Sequence, residues 1–128
     1  MAHWGQKAYL YVFTYAEKGK RANLGAYHGE ELNFLSNSFP TDWMHDKDEE
    51  SLGQTVRIYW TQFAKTGNPN FTGLTAWPAY SVQEDQYLEL GRKVAPRQIP
   101  ERLKTLEQIM TSVIGETTGS ATGSLSTN

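Results

Sequence analysis

The sequence predicts an α/β fold, in which helices pack on a mostly parallel β-sheet. Residues 8–14 are dense in aromatic and β-branched side chains without polar alternation, which is typical of a strand covered on both faces. Three later segments carry apolar residues at helical spacing and need a sheet to pack on. Few other segments resemble strands, so we expect the chain to be a piece of a larger fold.

The clearest helix is predicted over residues 46–66. Asp46 is suited to the N-cap, and Glu49 stands three residues further on. We interpret the acidic run Asp46, Asp48, Glu49 and Glu50 as solvated charge that favours the helix N-terminus. Gly67 suits the position that ends the helix. The apolar stripe comprises Leu52, Val56, Tyr59, Trp60 and Phe63.

The remaining elements are shorter or lie near the C-terminus. A short helix is predicted from Glu30 to Leu35, and short strands are predicted at 77–80 and 86–90. A last helix opens near Pro100. Its predicted buried stripe is Leu103, Leu106, Met110 and Val113. Residues 115–128 are rich in Gly, Ser and Thr, which predicts a flexible tail after one domain over residues 1–114.

Composition excludes several classes of function. The chain has 128 residues, a formal net charge of −2 and no cysteine. A disulfide framework, a thiolate metal site and a cysteine nucleophile are therefore excluded. The near-neutral charge argues against a nucleic-acid partner, and no apolar run has the length of a membrane span. The first residues do not form a signal peptide, and the compartment stays open.

Four motifs occur in an order and at spacings that fit a known family. Residues 25–32, GAYHGEEL, are similar to its Gly-x-x-His-Gly-x-Glu-Leu segment, and residues 59–70, YWTQFAKTGNPN, to its Trp-x-x-Phe-Ala-x-Thr-Gly-x-Pro-Asn segment. WPAY at 77–80 and YLEL at 87–90 follow in the same order. Over residues 8–114 the chain resembles the C-terminal portion of a type B carboxylesterase domain, the family that includes the cholinesterases.

This resemblance implies a C-terminal fragment of an α/β-hydrolase fold: a late sheet strand, the catalytic-histidine loop, helices, short terminal strands and a last helix. It implies ester hydrolysis by a Ser–Glu–His triad, with His28 at the position of the catalytic histidine. Glu31 matches a family carboxylate that supports the site through hydrogen bonds and is not the triad acid. Glu30 is interpreted as solvated. Phe34 and Leu35 follow the loop where the family lines part of its substrate pocket, with plain core packing as the alternative.

The nucleophile motif is missing from this sequence. No Gly-x-Ser-x-Gly occurs, the glycine run of an oxyanion hole is absent, and the resemblance places the triad acid before this segment. We therefore expect a C-terminal segment of a carboxylic-ester hydrolase that acts with a missing N-terminal part and is inactive alone. The alternatives are a non-catalytic, cholinesterase-like interaction protein and a short partner-binding product with esterase ancestry.

Other sites are weaker candidates. His3, His28 and His45 are spaced too irregularly for a compact metal motif, so we expect no metal and no other cofactor. Asn70 fits the N-glycosylation pattern, which matters only in a secreted protein, and the family is often secreted. The resemblance also implies a possible homodimer through C-terminal helices.

Overall fold

The computed structural model describes residues 6–18, 22–40 and 46–119. Within these ranges there are three strands, β1 (Tyr11–Phe13), β2 (Gln86–Leu90) and β3 (Ala95–Gln98). The helices are α1 (Glu31–Ser36), α2 (Lys47–Thr66) and α3 (Glu101–Gly119), and a single 3-10 turn spans Ala22–Leu24. The chain divides into two units, Met1–Gln98 and Ile99–Asn128, so α3 is described separately from the sheet.

The three strands form one sheet in the order β1-β2-β3. β1 pairs parallel to β2, with Tyr11 opposite Leu88 and Phe13 opposite Leu90, which confirms the predicted parallel pairing. β3 pairs antiparallel to β2. Strand β3 is not predicted from the sequence because it contains Pro96, and proline is confined to edge strands or bulges.

Two predictions about strands are wrong. Tyr11 and Val12 are 37% and 44% exposed, so β1 is not covered on both faces; β1 lies at one edge of the described sheet. Residues 77–80 are irregular rather than a strand. Pro78 has no N–H to give to a ladder, and the side chain of Asn70 bonds both the N–H and the carbonyl of Trp77 instead.

Helix α2 agrees closely with its prediction. Asp46 is the N-cap, and its Oδ1 accepts the backbone N–H of Glu49 at 2.9 Å. Gly67 ends the helix with φ 72°, and its N–H donates to the Phe63 carbonyl at 2.7 Å. The Glu49 side chain is buried, however, so its interpretation as a solvated charge is wrong. Helical phase explains the difference, because Glu49 precedes the buried Leu52 by three residues.

The core lies between β1, β2 and the helices α1 and α2. Phe34 is the buried residue of α1, and its ring meets the rings of Phe13, Tyr15 and Phe39 edge to face. Nη1 of Arg57 on α2 donates to the Phe34 carbonyl at 2.8 Å, which ties the C-terminal end of α1 to α2. The buried core residues are Tyr15, Phe34, Leu52, Val56, Tyr59, Trp77, Leu88 and Leu90.

Helix α3 begins after Pro100, as the sequence predicts. Its predicted stripe is not buried: Leu103, Leu106 and Met110 are about half exposed. The described part of its own unit contains no surface on which an amphipathic helix could bury that stripe.

The Val113 side chain lies outside the described part of the chain. α3 includes residues 115–119, which composition assigns to the tail, and residues 120–128 are outside the described ranges. None of the described helices is long and apolar enough to cross a membrane.

Candidate active site

His28 is the second residue of a tight turn that leads directly into α1. The Glu30 N–H donates to the Tyr27 carbonyl at 3.2 Å and closes the turn over residues 27–30, called here the His28 turn. Gly29, the third residue of the turn, has φ 79°, a conformation that a residue with a Cβ adopts only with strain. Glycine at this position therefore lets the chain reverse immediately after the histidine.

The His28 turn is continuous with the first turn of α1. The Leu32 N–H donates to the Gly29 carbonyl, and the Asn33 N–H donates to the Glu30 carbonyl, each at 3.1 Å. The Asn33 side-chain amide also reaches the Tyr27 hydroxyl at 3.4 Å. The His28 side chain is exposed. The backbone is thus fixed on both sides of a histidine whose ring is free to meet a reacting group.

Glu30 is buried, so its interpretation as a solvated carboxylate is wrong. The residue has no exposed surface, and its Oε2 accepts the Tyr27 N–H at 3.1 Å. Its Oε1 has no hydrogen-bond partner within the described residues. Burial raises the pKa of Glu30, the Tyr27 N–H opposes that rise, and Glu17, Glu31 and Glu49 add to it.

Glu17 and Glu49 are buried as well, which makes this side of the loop unusually acidic. Glu17 follows β1, Glu49 belongs to the first turn of α2, and Glu30 immediately precedes α1. Three separate stretches of chain therefore each contribute a buried carboxyl group, and the charges of Glu17 and Glu49 act on Glu30. This arrangement is not predicted above, although Glu30 stands four residues before the buried Phe34 and so shares its helical face.

Glu31 faces a different neighbour. Burial raises the pKa of Tyr11 on β1, and the charge and hydrogen bonding of the Glu31 carboxylate raise it further. The two adjacent glutamates thus have separate surroundings: Glu30 bonds the backbone of the His28 turn, whereas Glu31 connects α1 to β1. The predicted support of His28 by Glu31 stays a prediction.

Phe34 and Leu35 occupy packing positions. Phe34 has no exposed surface, and Leu35 is half buried against the same core. Their assignment to a substrate pocket also stays a prediction. In the structure both side chains pack in the core.

Tyr11 also lines an open cavity of about 200 Å³. The rings of Trp60 and Trp77 are tilted by 47° with centroids 5.6 Å apart, and Tyr11 meets the Trp60 ring edge to face at 5.1 Å. The cavity is lined by Tyr9, Tyr11, Tyr59, Trp60, Phe63, Pro69 and Trp77. Tyr11 therefore contacts both the Glu31 carboxylate and this aromatic wall.

No metal centre is formed by the described residues: no three His, Cys, Asp or Glu side chains there are placed to hold an ion. His3 and His45 lie outside the described ranges. His28 presents an exposed imidazole, a group that proteins commonly use as a general acid or base.

The sheet and its helices form part of an α/β-hydrolase fold, as the comparison with solved structures shows. The structure of PNB esterase matches with a TM-score of 0.65 and 27% sequence identity, over 78% of this chain and 21% of that one. The sequence model of the carboxylesterase family matches residues 1–109. The chain therefore belongs to the type B carboxylesterase family.

Individual relatives show how much of such a protein the chain spans. The liver carboxylesterase of Sus scrofa is 39% identical over 93 residues, which is 68% of this chain and 16% of that protein. The cocaine esterase of Homo sapiens is 36% identical over 93 residues, again 68% of this chain and 16% of the relative. The chain thus spans about a fifth or less of the relatives it matches.

Proposed function

We propose that this chain supplies the triad histidine of a carboxylic-ester hydrolase. The observation that carries the proposal is the position of His28, exposed on a glycine-containing turn directly before α1. That turn belongs to the segment GAYHGEEL, which is similar to the histidine motif of the family. Ester hydrolysis fits both the family and an imidazole presented in this way.

His28 would act first as a base and then as an acid. As the serine oxygen attacks the ester carbonyl carbon, the imidazole takes the serine proton, and it then gives that proton to the departing alcohol. In the second half of the reaction it takes a proton from the water that attacks the acyl-enzyme, and it gives that proton to the serine oxygen as the bond to the acyl group breaks and the acid is released. The imidazole ends each cycle in its starting state.

The serine, the triad acid and the oxyanion hole would come from elsewhere. The sequence contains no Gly-x-Ser-x-Gly, so His28 requires a partner segment that carries this motif. We assign Glu31 a supporting role beside the histidine because residues 25–32 are similar to the histidine segment of the family. Phe34 and Leu35 are lesser candidates for the wall of the substrate pocket.

The test begins with the DNA upstream of the Met1 codon. We expect an open frame that encodes Gly-x-Ser-x-Gly and a triad acid. The complete protein is then expressed and assayed on a short-chain aryl ester, with His28→Ala and the matched control His45→Ala. We expect His28→Ala to lower kcat by about 10³-fold or more, and His45→Ala to leave it unchanged.

Two results would overturn the proposal. One is full activity in the complete protein carrying His28→Ala. The other is ester hydrolysis by the 128-residue chain alone at a rate that His28→Ala abolishes, because such a chain would contain its own nucleophile.

A second candidate function is self-association through α3. Leu103, Leu106, Ile109 and Met110 on this helix are all about half exposed. Their spacing places Leu103, Leu106 and Met110 on one stripe, which suits packing against a second copy. Sedimentation of the chain tests this: a dimer should form and Leu106→Glu should abolish it, whereas a monomeric wild-type chain would refute it.

A further inference from the structure

We propose that Glu30 is a positioning residue for His28, and that its buried carboxyl group holds the His28 turn closed. The inference rests on the proposed function of His28 and adds to it a residue with a stated task. Glu30 itself would not touch the substrate. It would act through the backbone on which the histidine stands.

Two hydrogen bonds join the same two residues on either side of His28. The Tyr27 N–H donates to the Glu30 carboxyl at 3.1 Å, and the Glu30 N–H donates to the Tyr27 carbonyl at 3.2 Å. Together they close a ring around His28 and Gly29. Gly29 has φ 79°, and a glycine can leave this conformation at little cost. The bond from the Tyr27 N–H to the Glu30 carboxyl therefore restrains the backbone where it has the most conformational freedom.

Burial makes the restraint specific to this side chain. Glu30 has no exposed surface, so water does not compete for the Tyr27 N–H. Loss of the carboxyl group would leave that N–H without its partner and would open a gap beneath the turn. Glu31, by contrast, extends toward Tyr11 and does not take part in this ring.

Ionisation of Glu30 provides an observable for the contact. The carboxylates that act on it come from the segment after β1 (Glu17), from α1 (Glu31) and from α2 (Glu49). With burial, they raise the pKa of Glu30, so its contribution to stability is complete below the ordinary glutamate value and declines as the pH rises above it. The Tyr27 amide proton, which points at the carboxyl group, should report this ionisation directly.

The first experiment is an NMR titration of the full chain. We expect the Tyr27 amide chemical shift to follow a single ionisation whose midpoint lies above that of an ordinary glutamate. Glu30→Gln keeps an acceptor oxygen but cannot ionise, so that titration should disappear. The exposed Glu50→Gln is the matched control and should preserve it. A Tyr27 amide that does not titrate in the wild-type chain, or that titrates unchanged in Glu30→Gln, would overturn the proposal.

The second experiment measures catalysis in the complete protein. We expect Glu30→Ala to lower kcat about 10- to 100-fold with KM nearly unchanged, because it misplaces the base without removing a substrate contact. Glu30→Gln should recover most of kcat, and circular dichroism checks that both variants fold. If His28→Ala is inactive while a folded Glu30→Ala has wild-type kcat, positioning by Glu30 is wrong and the role of His28 stands. If His28→Ala is fully active, the proposed function is wrong, and the NMR titration still decides whether Glu30 holds the turn.

Discussion

The Lys18 ammonium nitrogen lies 2.8 Å from Oδ2 of Asp46, the N-cap residue of α2. Oδ1 of the same carboxylate accepts the Glu49 N–H at 2.9 Å, and the Tyr15 hydroxyl approaches it at 3.4 Å. One carboxylate therefore ties the segment that follows β1 to the beginning of the longest helix. The Lys18 hydrogen bond, followed by the Glu49 N–H, lowers the pKa of Asp46 to about 2.

Removal of the Asp46 charge should reduce stability in a pH-dependent manner. A lowered pKa in the folded state means that the stabilisation is present above the usual aspartate value near 4 and is lost as the pH falls toward 2. The difference in unfolding free energy between wild type and Asp46→Asn should therefore be largest at neutral pH and vanish near pH 2. Asp46→Ala also removes the helix cap and should lower the unfolding free energy by about 1 kcal/mol more than Asp46→Asn does.

Urea unfolding followed by circular dichroism at several pH values measures these differences. Asp48→Asn is the matched control, since Asp48 is exposed on the first turn of α2 and lies 3.8 Å from Arg92. A pH-independent difference between wild type and Asp46→Asn would contradict the assignment of the stabilisation to this ionisation.

Arg57→Met should loosen α1 selectively. The substitution keeps much of the apolar stem but removes the donor to the Phe34 carbonyl, a bond of 2.8 Å from a charged group. We expect a loss of about 1–2 kcal/mol in unfolding free energy. We also expect the substitution to accelerate amide hydrogen exchange more in α1 than in the centre of α2.

Arg102→Met is the control for the arginine substitution, because Arg102 is an exposed residue of α3. Arg102→Met should change neither the unfolding free energy nor the amide hydrogen exchange of α1. Equal acceleration of exchange in α1 and α2 by Arg57→Met would show that the bond stabilises the whole unit rather than the end of α1.

Asn70→Asp should destabilise the segment around Trp77. Oδ1 of Asn70 accepts the Trp77 N–H at 2.7 Å, and its Nδ2 donates to the Trp77 carbonyl at 3.0 Å. Aspartate loses that donor and sets a charged oxygen against a carbonyl oxygen, at an expected cost of about 1–3 kcal/mol. Thermal unfolding monitored by tryptophan fluorescence measures the change.

Asn68→Asp is a matched control for Asn70→Asp. Asn68 uses its Oδ1 to accept from the backbone and side-chain nitrogens of Asn70, and an aspartate can accept both bonds. The thermal stability of Asn68→Asp should therefore be close to that of the wild type. Equal destabilisation by the two substitutions would contradict the prediction.

The sequence predicts α2 well because its signals are local. Asp46 and Gly67 lie at the two ends of the helix, and each acts through a hydrogen bond to a residue three or four positions away. β3 has no such signal, because its pairing with β2 depends on residues brought together by the fold, and Pro96 argues against a strand. Likewise, the run at 8–14 predicts a parallel partner, but it does not specify how much of β1 that partner covers.

The candidate site was predictable in part. The motif places His28 on a turn, and the structure describes that turn. Composition alone does not separate the adjacent acids Glu30 and Glu31, because they differ only in helical phase. Glu30 shares a face with Phe34 and turns inward, whereas Glu31 turns toward β1. Reading the phase of α1 backward from its buried phenylalanine would have distinguished them.

The parallel pairing of β1 with β2 also constrains the order of events during folding. Tyr11 lies opposite Leu88, so the chain between these strands contains both α1 and α2. Contacts between α1 and α2 are close in sequence and lose little chain entropy, whereas the sheet contact must close the whole intervening loop. We expect α1 and α2 to pack together first and β1 to pair with β2 late. The strand that precedes His28 in the chain would then be the last part of this unit to fold.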